Sequence, residues 1–233
     1  MARLILFPVP IGATDPNTTL PSYNREVLNT CRTFIVENIR TARRNLKTMG
    51  YTHPIDDVTF LELNEHTDTT EIAHYLDPIA QGENVGLMSE AGLPCVADPG
   101  SIITAMAQRS GIEILPLVGP SSIMLALMAS GFNGQNFAFN GYPPIDERGR
   151  TAMLRTLEQH IHRDNQTQIF IEAPYRNDQL LHFLALHLQP ITRICVACDL
   201  TLPTQYIRTR MARQWLHDPP ELHKRPTIFL IYK

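Results

Sequence analysis

Ten short runs rich in apolar residues recur along this chain, and longer stretches of helical period lie between most of them. This alternation is the feature that most limits the possible folds. Strand-length apolar runs without polar alternation need cover on both faces, and intervening helices supply it. The runs fall at residues 3–9, 33–36, 58–63, 84–88, 113–117, 137–140, 168–171, 193–197, 206–209 and 227–231. Helices are predicted at 22–30, 40–49, 69–80, 101–110, 121–130, 147–161 and 176–188. The expected class is α/β with mixed, largely parallel sheets. Local signals set several helix ends. Asp68 precedes Glu71 by three residues, a capping-box spacing. Asp98-Pro99 opens the helix at 101–110, and Gly111 and Gly131 close two others. A Gly- and Pro-containing loop at 118–121 divides the chain into expected domains 1–116 and 117–233, with no internal repeat.

Composition narrows the class. The 233 residues are 43% hydrophobic and 18% charged, a globular balance. No apolar run approaches the roughly 20 residues of a membrane span. The apolar N-terminal run lacks a signal-peptide layout, so the expected location is the cytoplasm and no membrane partner is expected. Net charge is −3, so any nucleic-acid binding must come from a local basic patch. Four cysteines in a chain this long do not make a disulfide framework. Cys195 and Cys198 form a CxxC inside a predicted strand, read as core cysteine, with a redox or zinc role as the lesser alternative.

Small and special residues gather where the strands should end. They are Pro10-Ile11-Gly12, the segment 89–100 (SEAGLPCVADPG), Gly119-Pro120-Ser121-Ser122 and Glu172-Ala173-Pro174. Ligands of α/β sheets bind beyond such carboxyl ends. Any one loop would be ordinary turn chemistry, but twelve residues exceed the usual connection of roughly 4–6. Phosphate-loop, dinucleotide, zinc-protease and nucleophile-elbow motifs are absent. His160 and His162 stand two apart and face different sides of a helix, so no metal site is expected. Residue patterns alone therefore lead to a small-molecule α/β enzyme with a loop site built mostly from main chain.

The content and order of these loops resemble the tetrapyrrole methylase superfamily, and within it the small-subunit ribosomal RNA ribose-2′-O-methyltransferases of group I. The carrying segments are 9–12 (VPIG), 37–40 (ENIR), 89–100, 119–122 (GPSS), 172–176 (EAPYR) and 199–201 (DLT). The resemblance implies two α/β domains with S-adenosylmethionine in the cleft between them, and a homodimer. It implies a cofactor lining of Pro10, Ser89, Glu90, Ala91, Val96, Ser121, Ser122, Glu172, Pro226 and Thr227. Glu37 and Arg40 match the family's acidic-x-x-Arg tetrapeptide and are the candidates near the methyl acceptor. A surface ion pair at a helix start is the alternative. Arg176 is a further acceptor-side candidate, with a first-turn helix position as its alternative.

The chain departs from the family pattern at several places. Asn38 stands where a second acidic residue is usual, Glu90 where Asp is usual, and Leu202 where lysine is usual. The sequence ends soon after the last predicted strand, without the extra C-terminal domain of many RNA-modifying members. Arg40, Arg43, Arg44 and Lys47 still make a basic stripe on one predicted helix, suited to RNA phosphates or simply to solvent. Two further basic groups are Arg148, Arg150 and Arg155, and Arg208, Arg210 and Arg213. Aromatic residues are only 7%, which argues against a broad base-stacking surface. The expected function is methyl transfer to ribosomal RNA. The alternatives are a tetrapyrrole, other small-molecule or protein acceptor, or a non-catalytic relative that binds cofactor or RNA.

Overall fold

The computed structural model describes residues 1–64 and 66–233, with nothing to be said of the Thr69 side chain. The chain forms two compact units, Met1–Ser121 and Ser122–Lys233. The first contains β1 (Leu4–Phe7), α1 (Ser22–Leu28), β2 (Cys31–Val36), α2 (Ile39–Thr48), β3 (Thr59–Glu62), α3 (Thr69–Ile72), α4 (Asp77–Ala80), β4 (Asn84–Met88), α5 (Ser101–Arg109) and β5 (Ile114–Pro116). Its sheet has the order β3-β2-β4-β1-β5, and every pairing is parallel. Side chains alternate between the two faces with period two. Ile5, Phe7, Phe34, Val36 and Met88 enter one buried cluster. Leu4, Ile35, Val85 and Leu87 enter another with Ile103 of α5. The sheet is therefore covered on both faces, as the continuous apolar runs require.

The second unit contains α6 (Ser122–Ser130), β6 (Phe137–Phe139), α7 (Glu147–Asp164), β7 (Thr167–Ile171), α8 (Asn177–His187), β8 (Arg193–Cys198), β9 (Tyr206–Met211) and β10 (Thr227–Tyr232). The sheet order is β6-β7-β10-β8-β9. Only β6 and β7 pair in parallel; the other three pairings are antiparallel. The parallel majority of the molecule thus comes from the first sheet. One face of this second sheet presents Phe170, Val196 and Phe229 to Leu154 and Leu157 of α7, Leu184 of α8 and Trp215. Cys195 and Cys198 are both buried in β8. Three positions apart on a strand, they point to opposite faces, which does not suit joint metal ligation.

All ten strands lie where the apolar runs predict them, with ends moved by a residue or two. One helix does not. Instead of a single helix over 69–80, the chain makes α3 and α4 with a turn between them. Pro78 is the cause: it has no N–H, and its ring excludes an α-helical carbonyl four residues earlier. Asp68 caps α3 by accepting the Thr70 N–H at 2.9 Å. Helix α5 starts at Ser101 as expected, but Gly100 and not Asp98 is its N-cap residue. Asp98 has another task, described below.

Candidate active site

In the first sheet β2 feeds β3 at one edge, and β4 feeds β5 at the other. The chain therefore leaves the neighbouring carboxyl ends of β2 and β4 in opposite directions, the arrangement that opens a crevice in α/β sheets. Glu37 follows β2 directly, and the segment 89–100 follows β4. A small hollow at this point is lined by Val36, Glu37, Met88, Ser89, Asp98 and Gly100, among others.

The long loop is held in an unusual shape. An antiparallel bridge joins Val9 to Gly92, with Val9 N to Gly92 O at 2.9 Å and the reciprocal bond at 3.2 Å. The loop is thereby tied to the chain just beyond β1. Cys95 (φ 68°) and Ala97 (φ 62°) are left-handed although neither is glycine. Such residues cost about 1–3 kcal/mol each and persist only where the surroundings hold them. Asp98 does the holding. Its two carboxylate oxygens accept the Cys95 N–H at 2.9 Å each, and one also accepts the Gly100 N–H at 2.7 Å. The neighbouring 118–121 turn is equally constrained: a Cβ on Gly119 would lie 2.1 Å from Pro8 Cβ.

The rim is acidic. Glu37 Oε1 accepts the Glu90 N–H at 3.3 Å, and Glu90 Oε1 accepts the Thr41 hydroxyl at 3.2 Å. No Lys or Arg among the described residues forms an ion pair with Glu37, Glu90 or Asp98. Burial pushes the Glu37 carboxyl above its ordinary range, and the charges of Asp98 and Glu90 push further, against the Glu90 N–H. Burial also raises Asp98, against the N–H groups of Gly100 and Cys95. A strained loop and unneutralised carboxylates at a sheet switch point suit a cationic small molecule and proton transfer.

The tetrapyrrole (corrin/porphyrin) methylase pattern matches residues 19–214, most of this length. The chain belongs to the tetrapyrrole methylases. Within the family it is similar to the "Ribosomal RNA small subunit methyltransferase I" of Xylella fastidiosa, 30% identical over 76% of this chain and 62% of the relative. The Synechocystis protein of the same name is 30% identical over 86% of this chain and 68% of the relative. The Vibrio cholerae one is 25% identical over 98% and 76%. The chain thus spans about three fifths of the Xylella protein's length. The crystal structure of the methyltransferase CobJ superposes on all of this chain and 95% of its own, with TM-score 0.66 and 18% identity. That likeness establishes the fold.

The first unit brings Pro10, Glu37, Ser89, Glu90 and Ala91 to the loops beyond β1, β2 and β4. Ser89 is buried, with its hydroxyl donating to Ala91 O at 3.2 Å, whereas Glu90, Ala91 and Val96 are exposed. Arg40 is exposed on the first turn of α2, with no ionic partner among the described residues. Ser121 ends this unit, half-exposed. Asn38 is not a blank at a family acidic position. Its side chain caps α2 by accepting the Thr41 N–H at 2.9 Å, a task Asn and Asp perform equally well.

In the second unit Ser122 begins α6, and Glu172 and Arg176 lie beyond β7. Glu172 is buried. Its carboxylate accepts Arg176 Nη2 at 2.6 Å, Ala173 N at 2.7 Å and Arg150 Nη2 at 3.4 Å. Two guanidinium groups already serve it. At the start of β10 Pro226 is exposed, and the Thr227 hydroxyl donates back to Arg225 O at 3.0 Å. Near Leu202, Arg225 Nε from the segment before β10 meets Asp199 Oδ2 at 2.8 Å.

Sequence reasoning took Asp98 for a helix cap and missed its hold on the loop. The signal was its place between a non-glycine turn and Gly100. It also missed a set of buried polar atoms. Thr14 Oγ1, Thr19 Oγ1, Arg176 Nε, Asn177 Oδ1 and Thr201 Oγ1 have no hydrogen-bond partner among the described residues. Each costs roughly 1–3 kcal/mol. All sit beyond the carboxyl ends of β1, β7 or β8, where ligands of this fold class bind.

Proposed function

We propose that this chain is an S-adenosylmethionine-dependent methyltransferase that modifies a ribose 2′-hydroxyl of small-subunit ribosomal RNA. The observation that carries the reading is the Asp98-stapled loop beside Glu37, at the switch point of a tetrapyrrole methylase sheet. The names of the relatives in Xylella, Synechocystis and Vibrio supply the acceptor class. Bound S-adenosylmethionine supplies a methyl group already activated on a sulfonium. The residues here suit such a cation: carboxylates without cationic partners, an exposed apolar rim at Ala91 and Val96, and the orphaned Thr14 hydroxyl in the loop that carries Pro10.

In this reading Pro10, Ser89, Glu90, Ala91, Val96 and Ser121 of the first unit line the cofactor. Glu37 accepts the proton of the ribose hydroxyl as its oxygen takes the methyl carbon. Bound S-adenosylmethionine would supply the methyl carbon, its S–C bond breaking with the electron pair left on sulfur as the O–C bond formed. Glu37 then returns the proton to water. A raised carboxyl is a better base than an ordinary one near neutral pH. Arg40 holds the adjacent phosphate, and Arg44 and Lys47, both exposed farther along α2, continue the track. Arg176, held by Glu172, positions neighbouring groups. The protein acts in the cytoplasm as a homodimer; Met128 of α6, 77% exposed, offers an apolar contact for the second copy. No helix among the described residues is long and apolar enough to cross a membrane.

The test is transfer of labelled methyl from S-adenosylmethionine to small ribosomal subunits and to their free RNA, with nucleoside digestion to find a 2′-O-methyl product. Calorimetry with the cofactor accompanies it, on wild type and Ala91→Trp. Binding that Ala91→Trp abolishes, together with a 2′-O-methyl nucleoside, supports the reading. A folded wild type that binds no cofactor up to millimolar concentration overturns it. Cofactor binding with a methylated tetrapyrrole, and none with RNA, moves the acceptor to the other branch of the family.

A further inference from the structure

A pair of exposed tyrosines stands at the carboxyl end of the parallel strands β6 and β7. Tyr142 is 61% exposed and Tyr175 58%, and Ile145 beside them is 74% exposed. The backbone brings them together. Ile171 N donates to Gly141 O at 3.0 Å, so the turn after β6 lies beside the end of β7. Arg150 Nε donates to Pro144 O at 2.8 Å while its Nη2 reaches Glu172, which anchors the Ile145 turn to the same spot. Arg176 braces one of the two rings. Its guanidinium carbon lies 5.1 Å from the Tyr175 ring centroid, and its Nη1 donates to the Tyr175 hydroxyl at 3.0 Å.

Large side chains left in water at the mouth of a sheet are costly to keep unless they meet something. Their chemistry narrows the partner. A lipid surface suits aromatic rings with aliphatic neighbours, but here one ring is braced by a guanidinium and both carry polar tips. The carboxylates close by are occupied: Glu172 by Arg150 and Arg176, and Asp146 by the Gly149 N–H at 2.8 Å. On the adjoining face of α7, Arg148 and Arg155 are exposed beside Glu147. Flat π faces, one held by a cation, with further guanidinium groups one and three turns along a neighbouring helix, are what single-stranded nucleic acid binds.

We infer that Tyr142 and Tyr175, the latter braced by Arg176, form a stacking platform for unpaired bases of the RNA acceptor. The inference rests on the RNA reading above and adds where bases are gripped. Two rings suffice for two bases, so the low aromatic content of the chain is no obstacle.

The experiment measures binding of oligoadenylate, and of an abasic ribose-phosphate chain of equal length, across a range of salt. The proteins are wild type, Tyr142→Ala, Tyr175→Ala and the two Phe variants. Stacking is worth about 1–3 kcal/mol per base, so each Ala variant is expected to bind oligoadenylate about 5- to 150-fold more weakly. The salt slope should be unchanged, Phe should restore affinity, and the abasic chain should bind all five proteins alike. Calorimetric binding of S-adenosylmethionine checks that the variants are folded. Unchanged oligoadenylate affinity in both Ala variants overturns the platform. So does an equal loss on the abasic chain, which would report phosphate contact. A loss confined to intact small subunits, absent with their free RNA, also overturns it and assigns the rings to a protein contact. A wild type that binds no RNA and methylates none removes the acceptor reading itself. A wild type that methylates RNA while the Ala variants are unaffected removes only the platform.

Discussion

Glu37 and Asp98 face the same hollow, and their charges oppose one another. Asp98 has two duties there: it closes the loop through three hydrogen bonds, and its charge helps hold the Glu37 carboxyl up. Glu37→Gln is expected to lower kcat by about 10²- to 10⁴-fold, the range for a general base, with cofactor affinity retained. The acid limb of the pH–rate profile should lie above the ordinary carboxylate range. Asp98→Asn should move that limb to lower pH, because it removes one of the charges that hold the Glu37 carboxyl up. Stability runs the other way. Both folded-state values are raised, so the stabilisation they contribute is full at low pH and is lost as pH rises through them. Denaturant midpoints across the acid range check this. At Glu172 the issue is pairing. Glu172→Ala strands Arg150 and Arg176 and should cost about 3–5 kcal/mol in urea unfolding, because it leaves buried charge uncompensated.

Among elements, α2 joins the site to the surface. Its N-cap is Asn38, its first turn carries Arg40, and Ala42 and Leu46 bury its inner face. Asn38→Ala should cost about 1 kcal/mol, whereas Asn38→Asp should cost nothing and favour the helix dipole. Thermal unfolding of both variants measures the difference. If Asn38→Asp also leaves methyl transfer unchanged, the missing acidic residue served as a cap and not in catalysis. The amphipathic period of α2 was readable from its residues, as was the basic stripe. The break between α3 and α4 was readable too, since Pro78 forbids a continuous helix. The loss of Asp98 as the cap of α5 was not, because Asp98 turns back to Cys95 only once the loop has closed.

For the whole molecule, a ligand that binds only the folded chain stabilises it by mass action. S-adenosylmethionine at 100 times its Kd should add about 2.7 kcal/mol to unfolding, read as a rise in Tm that Ala91→Trp loses. Trp215, the single tryptophan, reports the second unit.

The sequence by itself determined the ten strands, most of the helices and the loops that carry the chemistry. Those depend on local pattern, on caps and on where Gly and Pro stand. It did not determine strand order. That β2 and β4 are neighbours, and that Glu37 therefore meets the Glu90 N–H from 53 residues away, follows from the order β3-β2-β4-β1-β5. The antiparallel majority of the second sheet, the claim of two arginines on Glu172 and the meeting of the Gly141 turn with the end of β7 are of the same kind. Each depends on which apolar faces bury one another, a choice made by the whole chain as its core closes and written in no single segment.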